Sequence, residues 1–487
     1  MPELVLTKDQ QAALDSLLSF IDKKEERVFI LKGYAGTGKT TLVKRIVSEL
    51  KERKREFILL ASTGRAAKVL GDAISGLSQG QEDADAPEAK TIHSLIYTFD
   101  RITQDLDLFS QDLTVRHVKN GEIKLKFSLQ VLPEYDGDPA VYIVDESSMI
   151  SDNSDDSFSF AEYGNEGRLL QDLLNYDKKG QFVFIGDNCQ LPPVNQGISP
   201  ALSESYFRDT FELKAQDSEL TNIVRQVGGN DIKLSSSRIR EKITDPSLCE
   251  QDLSFPLQGY QNIHIIPSEY DLIKRYLNDI RDRDFSRATF IVLSNKKVSV
   301  LSNRVRTALG FNTSFLEVGD LLLVTQNNMV SRLMNGDLVK VISVGTRENR
   351  ANLSFVHVQV QSLATEYVYS QLMIEEILYS GMTNISLEQQ TALMIDFHKR
   401  ATKKGLKQGS DMYNEMMRND SYLNALRCIY GYTLTCHKAQ GGEWDNVYLE
   451  IPRMFYYNDH KFAYQWVYTA MTRAKKDLYV LNDFWIK

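Results

Sequence analysis

Apolar and polar positions along this chain follow two different periods. Residues 9–22 and 41–50 repeat apolar side chains every three or four positions, which predicts amphipathic helices. Short apolar runs bounded by turn residues predict buried strands at 28–31, 57–61, 141–144 and 182–185. Because these strands alternate with helices, we expect a parallel sheet covered on both faces, in a first α/β domain over residues 1–225.

A second pattern of the same kind begins near residue 260. Its strand-like runs lie at 290–293, 447–451 and 478–481. The pattern is interrupted in the middle, so the predicted second α/β domain combines residues 226–335 with residues 429–487.

Two segments interrupt the α/β domains. Between the two parts of the second domain, short strands separated by turns predict a small β-barrel with a helical extension, over residues 336–428. Within the first domain, weak alternation of apolar and polar residues over 97–130 predicts a small β-hairpin.

Composition narrows the class of protein. Hydrophobic residues make up 42% and charged residues 25% of the 487 residues, an ordinary globular balance. No run approaches about 18 apolar residues, and the start of the chain lacks a secretory pattern, so we expect an intracellular, cytoplasmic protein outside the membrane. The four cysteines form no C-x-x-C pair, which argues against a zinc site or a disulfide framework. The net charge of −8 disfavours a broad basic DNA-coating surface but allows a narrow groove.

A phosphate-binding loop follows the first predicted strand. The run Gly33-Tyr34-Ala35-Gly36-Thr37-Gly38-Lys39-Thr40 matches G-x-x-x-x-G-K-[ST] and opens a helix. Glycines allow backbone N–H groups to close around phosphates, and the helix N-terminus adds its dipole. Lys39 is expected to reach the β- and γ-phosphates, and the Thr40 hydroxyl to bind Mg²⁺. The predicted nucleotide contacts are Gly33, Gly36, Thr37, Gly38, Lys39, Thr40 and Thr41.

An acidic pair completes the predicted ATPase site. The strand Val141–Val144 ends in Asp145 and Glu146. A buried strand of this kind delivers Asp145 to the metal at its C-terminal end, while Glu146 is placed to orient and deprotonate the attacking water. The two motifs together predict an ATP hydrolase that uses ATP and Mg²⁺.

Further motifs occur in a fixed order. They read LTKDQ at 6–10, ASTGRAA at 61–67, TIHS at 91–94, DESSM at 145–149, GDNCQLPPV at 186–194, ELTNIVRQ at 219–226, TLTCHKAQG at 433–441 and VYTAMTRA at 467–474. Over essentially its whole length the chain resembles superfamily-1B helicases, the subgroup that includes the Dda and RecD types. It departs from the compact form of that family in extra loops at 76–90 and 151–167, for which the sequence indicates no role.

The resemblance implies a fold and a set of roles. It implies two RecA-like P-loop domains with parallel sheets, plus a β-hairpin pin in the 97–130 insertion and an SH3-like β-barrel insertion. The implied roles are adenine recognition for Gln10, γ-phosphate sensing for Gln190, γ-phosphate contact for Arg225 and Arg473, nucleotide binding for Glu443, and DNA contact for Thr63, His93, Thr435 and His437. It also explains Cys436 beside His437 without a metal site.

The family further implies movement along single-stranded DNA, typically 5′→3′, with duplex opening at junctions between single-stranded and double-stranded DNA. The complete motif set in one chain is compatible with a working monomer, and other replication or repair proteins are candidate partners. Three alternatives stay open: an ATP-controlled remodeler or switch without processive unwinding, an RNA helicase, and a subunit of a nuclease complex.

Overall fold

The computed structural model describes residues 6–75, 88–104, 106, 123–154, 160–164, 166–222, 230–249, 252–311, 313–328, 330–331, 333–457 and 459–487. The strands are β1 Val28–Gly33, β2 Phe57–Ala61, β3 Ala89–Thr91, β4 Tyr97–Ile102, β5 Leu125–Leu129, β6 Val141–Asp145, β7 Ala161–Tyr163, β8 Gln181–Gly186, β9 Ala215–Leu220, β10 Ile263–Ile266, β11 Ala288–Val292, β12 Leu321–Val324, β13 Leu338–Arg350, β14 Leu353–Ser362, β15 Val368–Ile374, β16 Cys428–Tyr430, β17 Thr433–Thr435, β18 Trp444–Leu449 and β19 Ala474–Leu481. The helices are α1 Lys8–Asp22, α2 Lys39–Glu52, α3 Gly64–Ser75, α4 Ile92–Ile96, α5 Leu169–Tyr176, α6 Glu204–Phe211, α7 Asp231–Thr244, α8 Pro246–Cys249, α9 Glu269–Asp279, α10 Asn295–Ala308, α11 Glu376–Ser380, α12 Leu387–Lys403, α13 Asp411–Asn419, α14 Cys436–Ala439 and α15 His460–Met471.

The first sheet is parallel, with strand order β3-β2-β6-β8-β1-β9. The four strands predicted from apolar runs form its centre, and the prediction of a parallel α/β sheet is confirmed. Alternate residues of β1 face opposite sides, so that Phe29 and Leu31 pack under α1 and α2 while Val28 and Ile30 face α5 and α6. Burial on both faces explains why these strands are apolar throughout.

The second sheet is also parallel, with strand order β10-β19-β18-β11-β17. It is assembled from segments on both sides of the 336–428 region, as the interrupted pattern predicts. Helix α15 connects β18 to β19 and buries most of its length. Among the described helices, none has the length and apolar character needed to cross a bilayer.

The third sheet is antiparallel, with strand order β15-β14-β13-β12-β16. The short strands predicted for this region appear as β13 to β15, and the sheet also includes β12 and β16 from the flanking sequence. Leu426, just before β16, exchanges backbone hydrogen bonds of 2.8 and 3.0 Å with Leu372 and Ile374 of β15, which brings the two edges of the sheet together. The helical extension follows as α12 and α13. The SH3-like character and the domain limits stay predictions.

The insertion after α4 packs against this helical extension. Strands β4 and β5 pair in antiparallel register, and β7 adds to β5 in parallel. Ile102 and Leu106 share a hydrophobic cluster with Phe397 of α12 and Tyr413 of α13. Most of the segment between β4 and β5, at 107–122, lies outside the described residues, as do 76–87 and 155–159 of the two extra loops.

Candidate functional site

The phosphate loop curls between β1 and α2. Gly36 and Gly38 adopt φ angles of 84° and 80°, in the left-handed region that glycine favours. At Gly33 a Cβ atom would lie 2.9 Å from Thr37 Oγ1 and 3.0 Å from Lys39 Cγ, so this position requires glycine. Helix α2 begins at Lys39, two residues before the predicted start. The loop therefore forms a backbone cradle at a helix N-terminus, as phosphate binding needs.

Lys39 is tied to the cradle that carries it. Its ammonium group donates hydrogen bonds to the carbonyl oxygens of Gly33 at 2.6 Å and Tyr34 at 3.2 Å. These carbonyl contacts hold a cation at the mouth of the loop, where a nucleotide phosphate would replace them as the partner.

Gln10 lies against the same loop. Its side-chain carbonyl accepts a hydrogen bond from the Thr7 backbone N–H at 2.9 Å, and its amide nitrogen donates to the Thr37 carbonyl oxygen at 2.9 Å. The side chain is buried. Gln10 thus supports the phosphate loop here, and adenine recognition by this amide would require both hydrogen bonds to be exchanged.

Asp145 and Glu146 stand at the end of β6, as predicted. Burial and the neighbouring Glu146 carboxylate raise the pKa of Asp145 to about 6, and Lys39 opposes that rise. Glu146 has a φ of 50°, a left-handed conformation that costs on the order of 1–3 kcal/mol for a non-glycine residue. Its carbonyl oxygen accepts a hydrogen bond from the Ser62 hydroxyl at 3.1 Å.

Mg²⁺ fits this arrangement. The carboxylate of Asp145 and the hydroxyl of Thr40 are hard oxygen ligands of the type that Mg²⁺ takes in phosphate sites. Burial is the largest cause of the raised pKa of Asp145, and a divalent cation beside this carboxylate would favour its ionised form.

Gln190 connects the first sheet to helix α15. Its side chain is buried, and its side-chain oxygen has no hydrogen-bond partner among the described residues. Its backbone carbonyl accepts a hydrogen bond from the Gln465 amide at 3.2 Å, and the next backbone N–H, of Leu191, donates to the Thr469 hydroxyl at 2.9 Å. A buried amide oxygen without a partner is energetically costly, and this supports a role in which a ligand provides the partner.

Tyr468, one turn along the same helix face, makes two more contacts across the cleft. Its hydroxyl donates to the Asp187 carboxylate at 2.8 Å and accepts from the Ala35 backbone N–H of the phosphate loop at 3.2 Å. Tyr468 and Thr469 lie within the motif VYTAMTRA, but the sequence alone indicates no role for them, because their contacts are made with distant segments of the chain.

Arg473 follows the last turn of α15. It is buried, and its guanidinium donates to the Thr469 carbonyl oxygen at 3.0 Å and the Thr472 hydroxyl at 3.2 Å. Arg65 comes from the first domain to the same place, where its guanidinium lies 5.0 Å from the centre of the Trp444 ring. Burial lowers the pKa of Arg65; the nearby Asp337 carboxylate opposes this change, and the positive charge of Arg473 adds to it.

Glu443 and Arg225 are the two remaining predicted nucleotide contacts. Glu443 is exposed, beside the buried Trp444. Arg225 lies outside the described residues.

The predicted DNA contacts divide between the two domains. Thr63 caps α3 by accepting the Ala66 N–H at 3.2 Å, and Thr435 caps α14 by accepting the Lys438 N–H at 3.4 Å. A hydroxyl that accepts in a cap keeps a proton that it can donate to a phosphate oxygen. The two motifs approach each other, since a Cβ on Gly441 would lie 3.9 Å from the Ala66 Cβ.

The two predicted DNA-contacting histidines are partly buried. His93 packs against the rings of Tyr97 and Tyr163, with ring centroids 5.7 and 5.2 Å apart, and burial lowers its pKa to about 4. Burial also lowers the pKa of His437. Burial thus favours the neutral form of both imidazoles, which suits contact with DNA through a neutral hydrogen bond or through stacking.

Two family models and several known proteins match this chain. The family model described as an AAA domain matches residues 5–249, and the model of the UvrD-like helicase C-terminal domain matches residues 430–481. The chain is 23% identical to the ATP-dependent DNA helicase dda of Enterobacteria phage T4, over 97% of this chain and 98% of that protein. It is also 23% identical to the uncharacterized protein MJ1519 of Methanocaldococcus jannaschii, over 99% of this chain but only 39% of that longer protein.

Among solved structures, the Pif1 helicase from Bacteroides in complex with ADP-AlF3 and single-stranded DNA matches with a TM-score of 0.48 and 15% identity. The match covers 98% of this chain and 92% of that one.

Proposed function

Because the chain belongs to the superfamily-1B helicases of the Dda and RecD type, a class of ATP-driven DNA helicases, we propose that it moves along single-stranded DNA and unwinds duplex DNA. We propose 5′→3′ movement, which is typical of this subgroup. The complete motif set in one chain supports a working monomer.

One observation carries the proposal. Helix α15 of the second domain bonds both to the phosphate loop and to the Asp187–Leu191 loop of the first domain. A cleft whose two walls belong to different domains changes shape when its contents change. ATP hydrolysis at the phosphate loop can thereby change the relative position of the two domains. A motor protein requires such coupling between hydrolysis and domain movement.

Each residue of the cleft has its own role in the proposed hydrolysis of ATP. Lys39 exchanges its carbonyl partners for the β- and γ-phosphates, and the Glu146 carboxylate takes the proton of the attacking water. Gln190 accepts a hydrogen bond from the attacking water through its unpartnered oxygen and donates from its side-chain N–H to the γ-phosphate. Arg473 and Arg225 neutralise charge on the transferred phosphoryl group. Mg²⁺, when it is held by Thr40 and Asp145, supplies positive charge to the phosphate oxygens.

The same geometry supports two separate contacts with DNA, one on each domain. Thr63 and His93 belong to the first domain, and Thr435 and His437 to the second. We propose that these residues hold successive parts of one strand, so that closing and reopening the cleft moves the two contacts relative to each other. Two histidines and two helix-capping hydroxyls can bind a DNA strand in a narrow groove without a basic surface, which suits a chain with a net charge of −8.

The insertion at 97–130 is the proposed duplex-splitting element. Its described part is fixed to α12 and α13 by the cluster around Ile102 and Leu106. Gln408 reinforces this contact, since its side chain accepts from the Leu106 N–H and donates to the Gln104 carbonyl oxygen, both at 2.8 Å. An element that splits base pairs needs such an anchor, because strand separation pushes back on it.

The substrate class is tested by ATP turnover with no nucleic acid, with single-stranded DNA and with single-stranded RNA of equal length. We expect stimulation by DNA that exceeds stimulation by RNA, and no turnover by the Lys39→Ala variant under any condition. Equal or greater stimulation by RNA would contradict a DNA helicase and favour the RNA alternative. Turnover that neither polymer changes would contradict both.

A further inference from the structure

The hydroxyl of Tyr468, a residue of the motif VYTAMTRA, lies between the phosphate loop and the motif GDNCQLPPV. It donates to Asp187 and accepts from the Ala35 N–H, and the ring is 2% exposed. Burial and the Asp187 carboxylate hold the pKa of Tyr468 well above its usual value, so the hydroxyl stays protonated and the direction of both hydrogen bonds is fixed.

The same helix carries Arg473. Gln465, Tyr468 and Thr469 are spaced three and four residues apart, so they share the face of α15 that docks on the first domain. Arg473 is bonded to the Thr469 carbonyl oxygen. A shift of this face against the first domain therefore also moves the Thr469 carbonyl oxygen, to which the Arg473 guanidinium is hydrogen-bonded.

The Ala35 N–H belongs to the loop that cradles phosphates. In such loops the backbone N–H groups turn towards the bound phosphates, and the loop geometry depends on what they bind. In this structure one of those groups is bonded to Tyr468 and the Lys39 ammonium is bonded to loop carbonyls. A bound nucleotide and helix α15 would therefore compete for polar groups of the same loop.

We propose that Tyr468 is a positioning residue that transmits the state of the phosphate loop to Arg473. A nucleotide that draws the Ala35 N–H into the phosphate cradle breaks the bond to the Tyr468 hydroxyl. Helix α15 is then held to the first domain by fewer hydrogen bonds, and Arg473 is free to leave the position in which Thr469 holds it. The inference rests on the proposed ATPase function and does not depend on which nucleic acid is the track.

A purely structural role for Tyr468 makes a different prediction. The ring fills space in the core, and the hydroxyl would then only satisfy a buried carboxylate. Tyr468→Phe separates the two roles, because it keeps the ring and removes only the oxygen. Tyr464→Phe is the matched control, since Tyr464 is also buried on α15 and its hydroxyl accepts from the Ser254 N–H at 3.3 Å within the second domain.

The test is a titration of each protein with a fluorescent ATP analogue that is not hydrolysed, without nucleic acid. Loss of one competing hydrogen bond is expected to tighten nucleotide binding by Tyr468→Phe about threefold to tenfold. Tyr464→Phe is expected to bind within about twofold of the unmodified protein. Equal or weaker binding by Tyr468→Phe would overturn the proposal.

Turnover gives a second readout. With the contact removed, we expect hydrolysis without DNA to rise and the ratio of DNA-stimulated to DNA-free turnover to fall. If DNA does not stimulate turnover by the unmodified protein, the proposed function is wrong. The nucleotide-binding titrations would still test the role of Tyr468, because they contain no DNA. If Tyr468→Phe does not fold, Thr469→Val is the second variant, because it removes the adjacent hydrogen bond from the Leu191 N–H. We expect this variant also to bind the nucleotide analogue more tightly. Unchanged affinity would overturn the proposal.

Discussion

Arg473 donates a hydrogen bond from Nε to the carbonyl oxygen of Thr469 at 3.0 Å, so its guanidinium is held against the helix that precedes it. Contact between Nε and a phosphate oxygen requires exchange of this bond, whereas further N–H groups on the two Nη atoms remain able to donate. The guanidinium is also buried near that of Arg65, a second positive charge. A negatively charged γ-phosphate relieves this repulsion, which favours the exchange when ATP is bound.

Replacing Arg473 by alanine is expected to remove turnover without removing nucleotide binding. An arginine that stabilises the transferred phosphoryl group contributes about 10³–10⁵ in rate, so DNA-stimulated kcat should fall by a factor in that range. The measurement is steady-state ATP hydrolysis beside a nucleotide-binding titration. Arg453→Ala, at an exposed arginine of the same domain paired with Asp483, is the control. Normal turnover by the Arg473 variant would remove this residue from the reaction.

Glu146→Gln is expected to lower kcat by about 10²–10⁴ while ATP binding persists. Glutamine keeps the shape of the side chain and can tolerate the same backbone, so the loss reports the missing base. Hydrolysis rates and binding titrations on the same preparation check this, with the exposed Glu134→Gln as control. A rate within tenfold of the unmodified protein would assign the general base elsewhere.

The pKa of His93 makes the stability of the fold depend on pH. This pKa is lowered from 6.5 to about 4 by burial, so between these values the unfolded chain binds a proton that the folded chain does not. The free energy of unfolding therefore falls as pH is lowered from about 6.5 towards 4, and this group has no effect above that window.

His93→Phe removes the titrating group and keeps a ring against Tyr97 and Tyr163. The drop in thermal midpoint between pH 7.5 and pH 5 should be smaller in this variant than in the unmodified protein. His357→Phe, at an exposed histidine, serves as control. An equal drop in the His93 variant and the unmodified protein would show that His93 titrates normally.

Gln408→Ala is expected to weaken unwinding more than ATP turnover. It removes both hydrogen bonds to the 97–130 insertion, at Gln104 and Leu106, and lies outside the nucleotide cleft. With about 1 kcal/mol for each lost hydrogen bond, a severalfold fall in base pairs opened per ATP is expected, with DNA-stimulated hydrolysis unchanged. Lys404→Ala, at an exposed neighbour, is the control. A proportional loss of both activities would argue against the insertion as the splitting element.

Much of the nucleotide site follows from sequence because its signals are local. The glycines that allow positive φ, the lysine after them and the acids that end a buried strand are each fixed by a few adjacent residues. The apolar central strands of both parallel sheets are equally clear. The edge strands β3 and β9 are less so, because Ala89–Thr91 and Ala215–Leu220 contain polar residues that only an exposed edge tolerates.

The rest depends on contacts between distant segments. Nothing near Tyr468 indicates that its hydroxyl meets Ala35, more than four hundred residues away. β12 and β16 join one antiparallel sheet although a hundred residues separate them, so no short window of sequence identifies them as partners. Gln10 likewise is bonded to the phosphate loop because its capping box holds its side chain there, a geometry that its motif does not specify.

Strand separation on partial duplexes tests the central claim most directly. One substrate carries a single-stranded tail at its 5′ end and the other at its 3′ end, and each is tested with ATP and Mg²⁺. We predict unwinding of the 5′-tailed substrate alone, abolished by Lys39→Ala. Unwinding of the 3′-tailed substrate alone would contradict the direction, and DNA-stimulated hydrolysis without strand separation on either tail would contradict the helicase and support an ATP-controlled switch.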